Sequence, residues 1–125
     1  MSNLKKLPDA EFEVMKVVWA NEPPITTTEI MKLLGNEKKW KIQSLVSFMV
    51  RLVEKGFLRS EKDGKERKYF PLVSQAEYRK FEAGNFAEQF LNGSILNIVT
   101  TLYDDEALTD KDIDDLIQWA KERRG

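Results

Sequence analysis

The chain of 125 residues has no cysteine and no histidine. The first absence excludes disulfides and thiolate metal sites. The second removes the commonest metal ligand and general base at neutral pH. Most familiar catalytic constellations are thereby closed, so neither an enzyme, a cofactor nor a metal is expected. No apolar run approaches the roughly 20 residues that span a bilayer, and the opening MSNLKKLPDAEF lacks an apolar signal core. A cytoplasmic protein with no membrane partner is expected. Hydrophobic residues at 42% and charged ones at 33% are ordinary for a globular protein. The length suits one domain with its own core, or a small domain with a helical extension.

What the chain does have is charge, unevenly spread. Its formal net charge is only -1, yet Lys38 to Lys68 holds ten Lys/Arg against four acids. Such a surface expects a polyanion. Within it, Phe57-Leu58 and Tyr69-Phe70 are apolar anchors of two strand arms, and Asp63-Gly64 supplies two residues that tolerate positive φ in a type I′ hairpin turn. With those two as the loop, Lys62 faces Lys65, Ser60 faces Arg67 and Arg59 faces Lys68. Like charges set opposite each other destabilise a lone ribbon, whereas a cationic tip makes sense against DNA phosphates. The competing reading is a solvated hairpin whose lysines only discourage edge pairing.

Helix signals precede this hairpin. Pro8-Asp9-Ala10-Glu11 marks a start, and Phe12, Met15, Val18 and Trp19 recur at three- and four-residue spacing as a buried stripe before Asn21-Glu22-Pro23-Pro24 stops it. Thr26 to Glu29 reads as a capping box opening a short helix with Ile30, Leu33 and Leu34 apolar, which Gly35-Asn36 is expected to end. A third helix is expected over about 41–55, with Leu45, Phe48, Met49, Leu52 and Val53 inward and Gly56 as its terminator.

Its other side carries Lys41, Gln43, Ser44, Ser47, Arg51 and Lys55. Gln and Ser bond base edges or phosphates, and Lys and Arg reach phosphates. Three helices followed by a basic hairpin, with Lys62, Lys65, Arg67 and Lys68 touching the flanking backbone, form a winged helix-turn-helix. The fold class expected is therefore mainly α with a small β-hairpin: a winged DNA-binding domain over 1–73 and a three-helix dimerisation region over 74–125. The expected partners are double-stranded operator DNA and a second copy of the chain. An alternative use of the same fold is a protein-docking module for an acidic partner.

The segments AEFEVMKVVW (10–19), TTEIMKLL (27–34), KWKIQSLVSFMVRLVEKGFL (39–58) and RKYFPLV (67–73) together resemble the penicillinase-repressor (BlaI/MecI) family. The resemblance implies a homodimeric repressor of palindromic operators. Val46 stands where the best-known members have a base-reading arginine, and Gln43, Ser44 and Ser47 replace a Lys/Thr-Thr pattern, which implies a different operator with less reliance on a bidentate guanine contact. The Asn-Phe bond cut to relieve repression in the antibiotic-resistance members is unmatched: Thr101-Leu102 falls there, and nearby Asn97 precedes Ile98. The cysteine cluster of the copper-responsive branch is missing, which excludes copper sensing by that route.

Beyond Val73 the balance turns acidic, with six basic residues against eleven acids. Ser74 to Glu77 is a second capping box, opening a helix expected to run to about Asn92 before a break at Gly93-Ser94. Another helix holds Ile95, Leu96, Ile98, Val99, Leu102 and Tyr103, and a last one runs from Thr109 with Ile113, Leu116, Ile117 and Ala120 inward. About 50 residues cannot easily bury that much apolar surface alone. A two-fold dimer covers it, with Phe86, Phe90, Ile95, Leu96, Val99, Leu102, Ile113, Leu116 and Ile117 as the expected interface; the competing reading folds the tail back on its own winged domain. The acids from Asp104 to Asp115 lack the Gly and Glu positions of a calcium loop and read as helix-start charges.

Overall fold

Among the described residues, apolar periodicity and caps translate into six helices and three short strands. The computed structural model describes residues 4–90 and 95–124, and at 35, 36 and 90 the backbone alone. In order come α1 (Asp9–Ala20), β1 (Ile25–Thr26), α2 (27–38), α3 (Ile42–Glu54), β2 (Leu58–Asp63), β3 (Glu66–Pro71), α4 (Gln75–Phe90), α5 (Ile95–Asp104) and α6 (Asp110–Arg124). Two compact units divide within α4: 1–83 and 84–125. Among the described residues no helix is long and apolar enough to cross a membrane.

In the first unit, Val14, Met15 and Val18 of α1, Ile30 and Leu34 of α2, and Leu45, Met49 and Leu52 of α3 close over Phe57, just before the sheet, and over Leu58 and Tyr69 within it. Each such side chain contributes about 1.5–3 kcal/mol on burial, so these three stripes decide how the helices cross. Tyr78 extends the core from α4, and Phe81 packs against it. The compact units divide at 83/84, while the charge composition changes at Val73; aromatic packing continues past that point through Tyr78 and Phe81.

Several local expectations hold. Thr26 caps α2 in a reciprocal box with Glu29, and Ser74 and Glu77 do the same for α4, Ser74 N–H donating to Glu77 Oε1 at 2.9 Å and Glu77 N–H to Ser74 Oγ at 3.0 Å. Gly56, at φ +82°, closes α3, and the Phe57 and Gly56 amides donate back to Leu52 O and Val53 O, a Schellman terminus.

Others change. Gly35-Asn36 does not stop α2. The helical path runs on through a π-turn at Met31–Gly35 to Asn36–Lys38, and Lys39, at φ +57°, makes the left-handed exit instead. The hairpin turn is Gly64-Lys65 rather than Asp63-Gly64, so Leu58 pairs with Pro71, Ser60 with Tyr69, Glu61 with Lys68 and Lys62 with Arg67. Gly64, at φ +64°, takes the first central position, where two-residue hairpins favour glycine. This register replaces the expected Arg59–Lys68 opposition with Arg59 against Phe70, the guanidinium stacking 4.1 Å from the ring centre. The ribbon also gains an edge strand, β1, which pairs Ile25 with Tyr69 and Thr26 with Lys68. Val53, expected inward, is 36% exposed.

The second unit holds the end of α4 with α5 and α6. Thr109 and Asp112 cap α6, the Thr109 amide donating to Asp112 Oδ2 at 2.9 Å and the Asp112 amide to Thr109 Oγ1 at 3.1 Å; hydrogen bonding from the Thr109 amide, and then from its side chain, holds the Asp112 carboxyl below its usual range. Asp110 and Asp112 thus serve a helix start, as expected, whereas Asp104 closes α5 and Asp105 and Glu106 follow its C-terminal end; among the described residues no cluster is arranged to hold a metal. Leu91 to Ser94, including the expected break at Gly93-Ser94, lie outside the described residues, as does the Phe90 side chain.

Candidate nucleic-acid interface

Thr26 belongs at once to β1 and to the cap of α2, so pairing β1 with β3 carries the head of α2 to the root of the wing. The result is an open groove of about 320 Å³ between Thr26–Thr28, Val46 of α3, and Lys65–Arg67 with Tyr69 of the wing.

The wing sorts its charges by face, because alternate residues of a strand point oppositely. One face carries Leu58, Ser60 and Lys62 on β2 with Pro71, Tyr69 and Arg67 on β3. It is buried at its base, through Leu58 and Tyr69, and cationic toward its tip. There Arg67 donates to Ser60 Oγ at 3.3 Å. The other face gathers all three acids, Glu61, Asp63 and Glu66, with Arg59, Lys68 and Phe70. Arg59 pairs with Glu61, and Lys68 with Asp63 at 2.7 Å. That contact lowers the Asp63 pKa and raises that of Lys68.

Helix α3 begins with Lys41 at its N-cap, no acid in its first turn and no side-chain cap, a start suited to an anion. Gln43, Ser44 and Ser47 are exposed, as expected, and the Ser47 hydroxyl donates to Gln43 O at 3.1 Å. Arg51 lies five residues past Val46, about 140° round the helix at 3.6 residues per turn, and its guanidinium sits 5.8 Å from the Phe48 ring. It therefore flanks α3 on the side away from the wing groove. A helix in a major groove has a phosphate backbone along each flank, so cations on both sides suit that placement.

Lys55 has an internal partner. Its ammonium is 2.5 Å from the Glu11 carboxylate, whose side chain is 3% exposed. The ion neutralises a buried acid of α1. From sequence Glu11 reads only as a helix-start charge; burial by α3 gives it this second role. Lys68 is drawn to the acidic face of the wing. Lys62, Lys65 and Arg67 share the cationic side, with Lys41 at the head of α3. The residues missed from sequence are Thr27, Thr28, Ile42 and Val50. Ile42 and Val50 stand one helical turn either side of Val46, a spacing visible in the sequence though off the core stripe.

The penicillinase repressor family model matches residues 7–122. The chain belongs to that family. Its members are transcriptional repressors, not enzymes. The penicillinase repressor of Bacillus licheniformis is 29% identical over 124 residues, 99% of this chain and 96% of that one. The methicillin resistance regulatory protein MecI of Staphylococcus aureus (strain N315) is 25% identical over 111 residues, 89% of each. Among solved structures, the DNA-binding domain of the repressor BlaI is similar with a TM-score of 0.55 at 33% identity, covering 62% of this chain and 94% of that one. The Bacillus licheniformis BlaI monomeric form in complex with the blaP half-operator gives 0.53 at the same identity and coverage.

Proposed function

We propose that this penicillinase repressor family member represses transcription as a homodimer on palindromic operator DNA. The unit 1–83 reads one half-site, with α3 in the major groove and the wing on the backbone beside it. The observation that carries this reading is the sorting of the wing: Lys65 and Arg67 line one groove with α3 and the head of α2, with Glu66 between them, while Glu61 and Asp63 pair with Arg59 and Lys68 on the reverse. The similarity to a BlaI–half-operator complex supports it.

Pairing through 84–125 is supported by apolar surface. Among the described residues none of α5 or α6 is buried. Ile95 and Leu96 are two-thirds exposed, and Phe86, Leu102, Leu116 and Ile117 are close to half-exposed. Val99 and Ile113 are half-buried along a groove between α5 and α6. Trp119, at 55% exposed, joins the expected interface. Repression of this kind takes place in the cytoplasm, where the operator is.

Selection of bound duplexes from a random pool with the purified protein tests the whole reading. Inverted repeats with centres about one DNA turn, roughly 10 base pairs, or a multiple apart are expected. A pool that shows no enrichment at micromolar protein and physiological salt, where specific readers bind far tighter, refutes it.

A further inference from the structure

We infer that Ile42 and Val46 read the C5-methyl groups of thymines in each half-site. The inference rests on the DNA-reading function proposed above and specifies which chemistry α3 presents to the bases.

Ile42, Val46 and Val50 are 45%, 43% and 49% exposed and fall four residues apart, so they form one aliphatic strip along the outer side of α3. Val46 lines the groove together with Thr26–Thr28, Tyr69 and the wing residues Lys65, Glu66 and Arg67. An aliphatic strip with two wing cations beside it matches a duplex: phosphates at the groove edges, and one apolar substituent, the thymine methyl, in the major groove between them. The polar residues beside the strip offer limited hydrogen-bond reading. Ser47 directs its proton to Gln43 O, which leaves the hydroxyl as an acceptor toward the bases. Base reading by a recognition helix is concentrated near its N-terminus, which favours Ile42 and Val46 over Val50. One helical turn separates them by about 6 Å, close to two base-pair steps at 3.4 Å each. The methyls they cover therefore belong to neighbouring or next-but-one base pairs.

The experiment uses the full chain and the duplexes recovered by selection. Each thymine of a half-site is replaced by deoxyuridine, which deletes the methyl and leaves the pairing edge intact, and affinity is read by anisotropy. For wild type, at least one replacement weakens binding about four-fold, the effect of uncovering one methyl-sized group. In Val46→Ala, whose exposed position leaves folding intact as thermal melting will check, the duplex binds several-fold more weakly and one of those penalties disappears. Ile42→Ala abolishes a penalty at a neighbouring position, while Arg67→Ala weakens binding and keeps both. Tolerance of every deoxyuridine by a wild-type protein that still selects a sequence overturns the inference alone. So does a penalty that persists in both alanine variants, since it then belongs to DNA shape. Failure to select any sequence overturns the repressor reading and this inference with it.

Discussion

Lys55 separates a folding role from a binding role on the same helix. Its ammonium meets Glu11 at 2.5 Å; the carboxylate side is 3% exposed and the lysine side 27%. Replacing Lys55 by Met keeps the aliphatic stem but leaves the acid enclosed without its counter-ion. Breaking a buried pair from one side costs about 3–5 kcal/mol, and the partial exposure of the lysine places this case near about 3 kcal/mol. For a unit of this size that lowers the melting midpoint by roughly 12–24 °C. Removing both ions by Glu11→Leu with Lys55→Met is expected to recover most of the loss, because apolar side chains of similar volume replace buried pairs at little cost.

Thermal unfolding by circular dichroism reads the first effect, and a DNA titration across salt concentrations reads the second. A lysine on a phosphate adds about 0.9 to the magnitude of the slope of log K against log salt. Below its melting midpoint Lys55→Met is expected to keep the wild-type slope. A variant that melts within about 2 °C of wild type, against the shift expected for a buried pair, while losing a full unit of slope would refute the structural role and return Lys55 to the DNA.

Three other outcomes follow from the same geometry. Lys65→Ala with Arg67→Ala is expected to reduce the salt slope by about two units per protomer and to weaken all sequences alike, whereas Lys68→Ala, already paired with Asp63, reduces it by less; equal effects would contradict the sorting of the wing. Leu116→Asp with Ile117→Asp is expected to give monomers by sedimentation and to weaken operator binding about 10²–10⁴-fold through lost effective concentration; an unchanged dimer would move the interface elsewhere. Tyr78 accepts the Leu7 amide at 2.8 Å and donates to Glu82 at 2.9 Å, and burial pushes its pKa from 10.0 to about 12. Its neutral form therefore stabilises the fold fully below pH 10, and this stability drains as pH rises through 12, by about 2 kcal/mol. Urea midpoints measured from pH 9 to pH 12 check it, and Tyr78→Phe removes the alkaline slope while leaving the Leu7 amide unpaired.

The helix starts and most of the caps were legible because each rests on neighbours in sequence. Thr26 with Glu29, Ser74 with Glu77, and the stripe of Leu45, Met49 and Leu52 depend on spacings of three or four residues, which any chain shows before it folds. What was hidden depends on partners far away. Glu11 and Lys55 are separated by 44 residues, and only packing α1 on α3 makes the lysine a counter-ion rather than a hand for DNA. The hairpin register slipped for a related reason. Asp63-Gly64 and Gly64-Lys65 are both acceptable turns locally, and the choice lies in cross-strand contacts such as Arg59 on Phe70. β1, only two residues long, carries no strand signal of its own and exists because β3 offers it an edge.

The same distinction bears on how many of the ten cations between Lys38 and Lys68 are open to a partner. Once Lys55, Arg59 and Lys68 are paired to Glu11, Glu61 and Asp63, the cations best placed for phosphates are Lys41, Arg51, Lys62, Lys65 and Arg67. Five phosphate contacts correspond to a salt slope of about -4.5 for one protomer, enough for encounter but modest for holding one site in a genome of competitors. The internal ion pairs therefore make one winged unit a weak reader and shift the burden of tight binding to doubling. In the proposed dimer, a second copy joined through the acidic C-terminal unit would raise the slope toward about -9 and convert the second half-site into an intramolecular event. Acidity suits a mating region, because it offers the DNA no rival cationic surface. The C-terminal unit then neither competes for phosphates nor blurs the register that the two recognition helices set.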